Sequence, residues 1–156
     1  MNILRTLEFL ALSIWLGSDA FLSFIVAPGA FLVIASRDQA GALVGYSLTR
    51  MHWMGVVSGV LILLFRILRA RSAASLASPA SVCIVLMLLL TVVSQLAVSP
   101  KMAALRSRMG SIEATAAASP LLAEFSSWHR VSVGLESGVL LAGLLALNCF
   151  VRESAR

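Results

Sequence analysis

Four long apolar runs alternate with short polar segments along the chain, and this alternation predicts four helices. The runs cover about residues 4–34, 48–68, 80–98 and 125–151. A membrane-spanning helix needs about 20 mostly apolar residues, and each run is close to that length or longer. We therefore predict an all-α, polytopic membrane four-helix bundle that forms a single domain over residues 1–156.

Local signals mark where these helices end or bend. Proline removes a backbone donor, so Pro28 is expected to bend or end the first helix and Pro100 to stop the third. Residues 36–39 have the S-x-x-Q form of a capping box, which predicts a short helix before the second span. Over residues 102–112, apolar side chains recur at helical spacing between basic ones. This pattern predicts a separate amphipathic helix at the membrane interface, between the third and fourth spans.

Composition points to the lipid bilayer as the main partner of the chain. The 156 residues are 60% hydrophobic and 12% charged, and the mean hydropathy is +0.97. A soluble domain of this size could not hide so many apolar side chains in one core. The net charge of +5 comes from residues at helix ends and in loops, not from a basic face, so no nucleic acid is expected as a partner. The predicted location is an integral membrane one, in the inner membrane if the protein is bacterial.

The basic residues give a weak indication of topology, because six fall on each predicted side. The short connection from Arg66 to Arg71 carries three of them, and short loops count most in the positive-inside rule. This loop favours both termini in the cytoplasm.

Polar side chains interrupt the apolar runs, and they are the candidate functional residues. His129, Ser132 and Glu136 are spaced to form one stripe of the fourth helix, and Asp19 interrupts the first. Glu136 would lie roughly 15 Å deep, near the centre of a bilayer, where an ionisable group is costly. If the first and fourth helices pack together, Asp19 and Glu136 would share a proton or hold a cation. The alternative is structural: Glu136 would hydrogen-bond Gln95 or Ser132.

A second group of candidates comes from the histidines and methionines. Met51, His52 and Met54 open the second span, and His129 opens the fourth on the same predicted membrane face. Imidazole and thioether ligands suit Cu(I) or another soft metal. Two histidines facing each other across a bundle could also ligate haem. The plain alternative is that methionine fills gaps in the core and histidine bonds to backbone or water.

Small residues at four-residue spacing suggest helix contacts. The pairs Gly55/Gly59 and Gly134/Gly138 each have the small-xxx-small pattern, which lets another helix approach closely. A homo-oligomer through either face is one expectation. No nucleophile–base pair, phosphate loop or zinc motif is present in the sequence, which favours a protein without enzymatic activity.

Several motifs resemble the transmembrane-protein-205-like family of small four-helix membrane proteins. They are Trp15-Leu16-Gly17, Arg50-Met51-His52-Trp53, Pro100-Lys101 and the segment Phe125-x-x-Trp128-His129-x-x-Ser132. The resemblance implies asparagine seven residues after His129 and again before Pro100, where this chain has Glu136 and Ser94. The family is linked to tolerance of metal compounds, which implies export or metal handling.

Two classes of function follow from these features. One is small-cation or soft-metal handling coupled to the intramembrane carboxylates. The other is a membrane assembly or interaction protein without transport activity, in which the glycine faces matter more than the acids. A haem-binding membrane oxidoreductase is a third and weaker alternative.

Overall fold

The computed structural model describes residues 3–155 and confirms the all-α four-helix architecture. Its four helices are each long and apolar enough to cross a membrane: α1 Ile3–Val33, α2 Arg37–Ala70, α3 Pro79–Met109 and α4 Pro120–Ser154. Large apolar side chains remain exposed on the outside of the bundle, as expected for surfaces that face lipid.

Two of the predicted helix boundaries do not occur. Ser36 caps a helix as predicted, accepting a hydrogen bond from the Gln39 N–H at 3.4 Å. That helix does not stop before the second span, however, and α2 runs without a break for 34 residues. Likewise Pro100 does not end α3, which continues to Met109. The amphipathic segment is therefore the last part of α3, with Leu105 buried, rather than a separate helix.

Both prolines are accommodated by a π-helical turn. The turns cover Leu22–Val26 in α1 and Ser94–Val98 in α3, and each ends two residues before its proline, Pro28 or Pro100. In each turn the backbone N–H just before the proline donates to the carbonyl five residues back. The wider turn takes up the strain that a proline ring would place on an ordinary α-helical turn, so the helix continues past the proline.

Gly55 and Gly59 of α2 pack against α1 of the same chain. Trp15 of α1 is fully buried, and a Cβ built on Gly55 would lie 2.7 Å from its Cε2 atom. A Cβ on Gly59 would lie 2.7 Å from Trp15 Cζ3 as well. The indole thus fills the groove that these two glycines leave, and an oligomer contact at that face would have to displace it. Gly134 on α4 has open space around it.

Charged side chains form a layer at the end of the bundle where the chain begins. Glu8 of α1 and Arg66 of α2 are buried there. Arg66 Nη2 donates to Glu153 Oε2 of α4 at 2.8 Å, and Arg69 Nε donates to Glu8 Oε1 at 2.9 Å. The Arg66 guanidinium also lies 4.9 Å above the Phe150 ring. This network joins α1, α2 and α4.

The opposite end is closed by contacts between α2 and the segment that follows α3. Asp38, in the first turn of α2, accepts hydrogen bonds from the Ile112 N–H at 2.8 Å and from the Ser111 hydroxyl. Lys101 and Glu124 form an exposed ion pair at 3.0 Å between α3 and α4. Between these two charged ends, the bundle consists of a long and mostly apolar section.

Candidate functional site

A polar cluster lies inside the bundle, near the midpoint of all four helices. We call it the midplane cluster, and it consists of Asp19, His52, Ser94, Gln95 and Glu136. Each helix contributes at least one member. All are buried except Gln95, which is half-buried. All five members lie within the four apolar runs of the sequence, so the cluster is expected inside the hydrocarbon region of the membrane.

His52 is the centre of the cluster. Its Nε2 atom lies 2.7 Å from Glu136 Oε1, and its Nδ1 atom lies 2.9 Å from Gln95 Oε1. The Ser94 hydroxyl donates to the same Glu136 oxygen at 3.0 Å. Both nitrogens of the imidazole are therefore occupied by protein partners.

The π-helical turn of α3 explains how Ser94 and Gln95 both reach the cluster. Consecutive residues of an α-helix point about 100° apart, so two neighbours seldom serve one site. The turn begins at Ser94, where the helix widens. From there Ser94 contacts the α4 carboxylate and Gln95 contacts the α2 imidazole.

Asp19 completes the cluster from α1. It is 1% exposed, and the Ser23 hydroxyl donates to its Oδ1 atom at 3.3 Å. The charges of Glu136 and His52 both act on Asp19, and a proton shared by the two acids stays a prediction. It is not hydrogen-bonded to Glu136, whose partners are His52 and Ser94.

Two oxygens of the cluster have no partner. Asp19 Oδ2 and Glu136 Oε2 are buried and accept no hydrogen bond from the described residues. The Thr91 hydroxyl, one turn from Ser94 on α3, is also buried without a partner. A buried polar atom without a partner is costly, so each marks a place where a proton or a small ion could be accommodated.

The remaining predicted site residues lie elsewhere. Ser132 is buried one turn before Glu136 but does not bond to it in the described part of the chain. His129 is exposed, and Glu136 lies seven positions further along, which corresponds to about 10 Å along the helix. The structure therefore does not bring His129 to His52, either as paired haem ligands or as metal ligands.

The predicted soft-metal set is not assembled either. Met51 is buried beside His52 in sequence, while Met54 is 39% exposed on an apolar groove. Within residues 3–155, no group of three or more His, Cys, Asp and Glu side chains could hold a metal ion. Soft-metal binding by His52, His129, Met51 and Met54 stays a prediction.

Two features escaped the sequence analysis. The His52–Glu136 contact was not predicted, because the apolar run places His52 at the start of the second span, whereas the observed α2 begins at Arg37 and has His52 near its midpoint. The buried Glu8–Arg66 contact was also missed. The sequence does contain a signal for this contact: an acid near the start of the first apolar run and a base near the end of the second run. Antiparallel neighbouring helices bring these two positions together.

Comparison with protein families gives one match. The model of a family described as a domain of unknown function (DUF4149) matches residues 10–111, from α1 to the end of α3. This range includes Asp19, His52, Ser94 and Gln95 and ends before Glu136. Neither the curated proteins nor the solved structures include a match to the chain.

Proposed function

We propose that this chain, which belongs to the DUF4149 family, carries small cations across the membrane in exchange for protons held at the midplane cluster. The observation that supports this most strongly is the pair of buried carboxylates, each with one oxygen that has no partner. Two acids and an imidazole near the centre of four spanning helices form a site that can gain or lose positive charge.

Placing ionisable side chains inside a membrane costs free energy. An acid at the centre of a spanning helix disfavours membrane insertion by about 2.5–3.5 kcal/mol. A purely structural contact could be made by neutral amides at much lower cost. The presence of Asp19 and Glu136 together with His52 is more readily explained if their charge is used.

The described arrangement of the cluster is not a ready-made metal site, so a transported cation would bind after the side chains move together, and their chemistry favours a hard cation over a soft one. The free atoms are carboxylate and hydroxyl oxygens, which suit hard cations, whereas Cu(I) prefers thiolate and thioether sulfur. The resemblance to the transmembrane-protein-205-like family and its link to metal tolerance supports a transport role of this general kind. It does not select the ion.

Purified protein in liposomes that contain a pH-sensitive dye would test the proposal. An inward gradient of Li⁺, Na⁺ or K⁺ should drive protons outward through the wild-type protein and raise the internal pH. Glu136→Gln should abolish this response, because the amide still accepts hydrogen bonds but carries no exchangeable proton. Glu124→Gln is the matched control, since Glu124 is an exposed acid on the same helix, paired only with Lys101, and it should retain the response.

The proposal would be overturned if wild-type liposomes matched empty ones for all three cations. It would equally be overturned if Glu136→Gln transported protons at the wild-type rate.

A further inference from the structure

The amide of Gln95 determines which nitrogen of His52 carries a hydrogen. Gln95 Oε1 lies 2.9 Å from His52 Nδ1. With the amide in this orientation its carbonyl oxygen can only accept a hydrogen bond, so Nδ1 is the donor and carries the hydrogen, whereas a flipped amide would donate to Nδ1 instead. Gln95 therefore selects one tautomer of the neutral ring.

This choice determines how the other nitrogen, Nε2, meets Glu136. With Nδ1 protonated, the 2.7 Å contact between His52 Nε2 and Glu136 Oε1 contains one proton. The pair is either imidazolium with carboxylate or imidazole with carboxylic acid, and both have zero net charge. The Ser94 hydroxyl donates to the same Oε1 atom, which stabilises negative charge on that oxygen.

Gln95 also prevents the imidazole from releasing a proton through Nδ1. An imidazole relays a proton by accepting it at one nitrogen and releasing it from the other. Release from Nδ1 would place the proton on an amide oxygen, which is far too weak a base to hold it. A proton that reaches His52 must therefore leave through Nε2, by the way it came.

The ionisable neighbours define the remaining route. Among the described residues, those that interact electrostatically with His52 are Glu136 on α4 and Asp19 on α1. The contacts from α3 come from uncharged side chains, Ser94 and Gln95. Glu136 Oε2 is buried without a partner, so it is the oxygen from which the shared proton can pass onward.

We propose that Gln95 is a positioning residue that fixes His52 as the Nδ1–H form and makes it a terminal proton holder for Glu136 rather than a relay. The transferable proton then enters and leaves through Glu136, with Asp19 as the second acid of the cluster. The functional part of this inference rests on the proposed proton exchange, but the tautomer itself can be measured independently.

The chain is well suited to that measurement because it has only two histidines. In a His129→Gln background, which changes an exposed residue, all histidine ¹⁵N signals come from His52. In this protein, reconstituted in lipid, ¹⁵N NMR should show a protonated Nδ1 at every pH at which the fold is intact. An unprotonated Nδ1 under any of these conditions would overturn the inference, and this result needs no variant of Gln95.

Variants of Gln95 test whether the amide is the cause. Gln95→Met keeps the length of the side chain but removes the acceptor, so the Nδ1–H signal should be lost from the neutral ring, which becomes the Nε2–H form. Gln95→Glu restores an acceptor and should restore the Nδ1–H signal. Because a carboxylate can also take the proton, Gln95→Glu should shift the pH profile of proton flux. Gln39→Met, at an exposed position, is the control that should change neither quantity.

The outcomes separate this inference from the proposed function. A protonated Nδ1 that disappears in Gln95→Met supports the positioning role even if no proton flux is found. Proton flux that depends on Glu136, together with a neutral His52 ring that keeps Nδ1–H in Gln95→Met, overturns the positioning role and leaves the transport proposal standing.

Discussion

His52 Nε2 and Glu136 Oε1 lie 2.7 Å apart although 84 positions separate the two residues in the chain. The contact joins α2 to α4 through the centre of the bundle. In a region of low dielectric, such a contact is strong when both partners are present and costly to either partner alone. The pair therefore ties the stability of the fold to the chemistry of the site.

A double-mutant cycle should reveal this coupling. His52→Gln and Glu136→Gln each keep a hydrogen-bonding side chain but remove the ionic contact. We expect the free energy of unfolding in detergent to show a coupling of about 1–3 kcal/mol between the two changes. Additive effects, with a coupling near zero, would mean that the two side chains do not interact in solution.

Much of the fold could be predicted from the sequence because four apolar runs leave few alternatives. The partner of Glu136 could not be predicted from the sequence, because Asp19 and His52 lie at similar depth in the bundle. Apolar periodicity does not specify how neighbouring helices are rotated relative to one another. Which polar side chains pair depends on which helix faces are in contact. Here the packing of Trp15 against Gly55 and Gly59 helps to fix the orientation of α1 relative to α2.

Prolines and arginines misled the sequence analysis for physical reasons. Pro100 was expected to stop α3, but a π-helical turn lets the helix continue past it. Arg66 was assigned to a loop because charged residues usually mark helix ends, yet it is only 3% exposed. Its long side chain reaches both Glu8 and Glu153, which compensate its charge inside the protein.

The contact of Trp15 with α2 leads to a prediction about glycine. Gly55→Ala should destabilise the protein by about 1–3 kcal/mol, because the rigid indole cannot move away from the added methyl group. Gly134→Ala is the matched control on α4, where nothing lies within 4 Å of the new Cβ. It should leave stability unchanged or raise it by up to about 1 kcal/mol through helix propensity. Equal effects of the two changes on thermal unfolding would contradict the observed packing.

The charged layer at Arg66 should matter for stability. Arg66→Met should cost about 3 kcal/mol, at the low end for breaking a buried ion pair because Glu8 keeps its contact with Arg69. Arg152→Ala, an exposed arginine near the end of α4, should change stability by no more than about 0.5 kcal/mol. Thermal unfolding of both variants in the same detergent would compare them. A loss for Arg66→Met as small as that for Arg152→Ala would mean that the buried network contributes little.

The membrane orientation can be measured with single cysteines. In a variant in which Cys83 and Cys149 are replaced by alanine, Ser72→Cys tests the connection between α2 and α3, and Ala117→Cys tests the one between α3 and α4. Both positions are exposed. If the termini are cytoplasmic, an impermeant maleimide added to intact cells should label position 117 and not position 72. The reverse pattern would place the termini on the outer side.

The π-helical turn of α3 provides the last prediction, because Pro100 and the midplane cluster are linked through it. Pro100→Ala restores a backbone N–H and removes the ring that obstructs an α-helical turn, so α3 is free to lose the wider turn. The extra residue would then rotate one half of α3 by about 100° relative to the other, and Ser94 and Gln95 could not both keep their contacts. We expect the variant to remain folded while losing proton flux and the Nδ1–H signal of His52, because relief from the proline ring offsets part of the cost of the contacts that Ser94 and Gln95 lose. Pro79→Ala, at the first position of the same helix, removes a proline that obstructs nothing and should change neither readout. Full proton flux in Pro100→Ala would show that the cluster forms without the proline, and that the π-helical turn is maintained by other contacts.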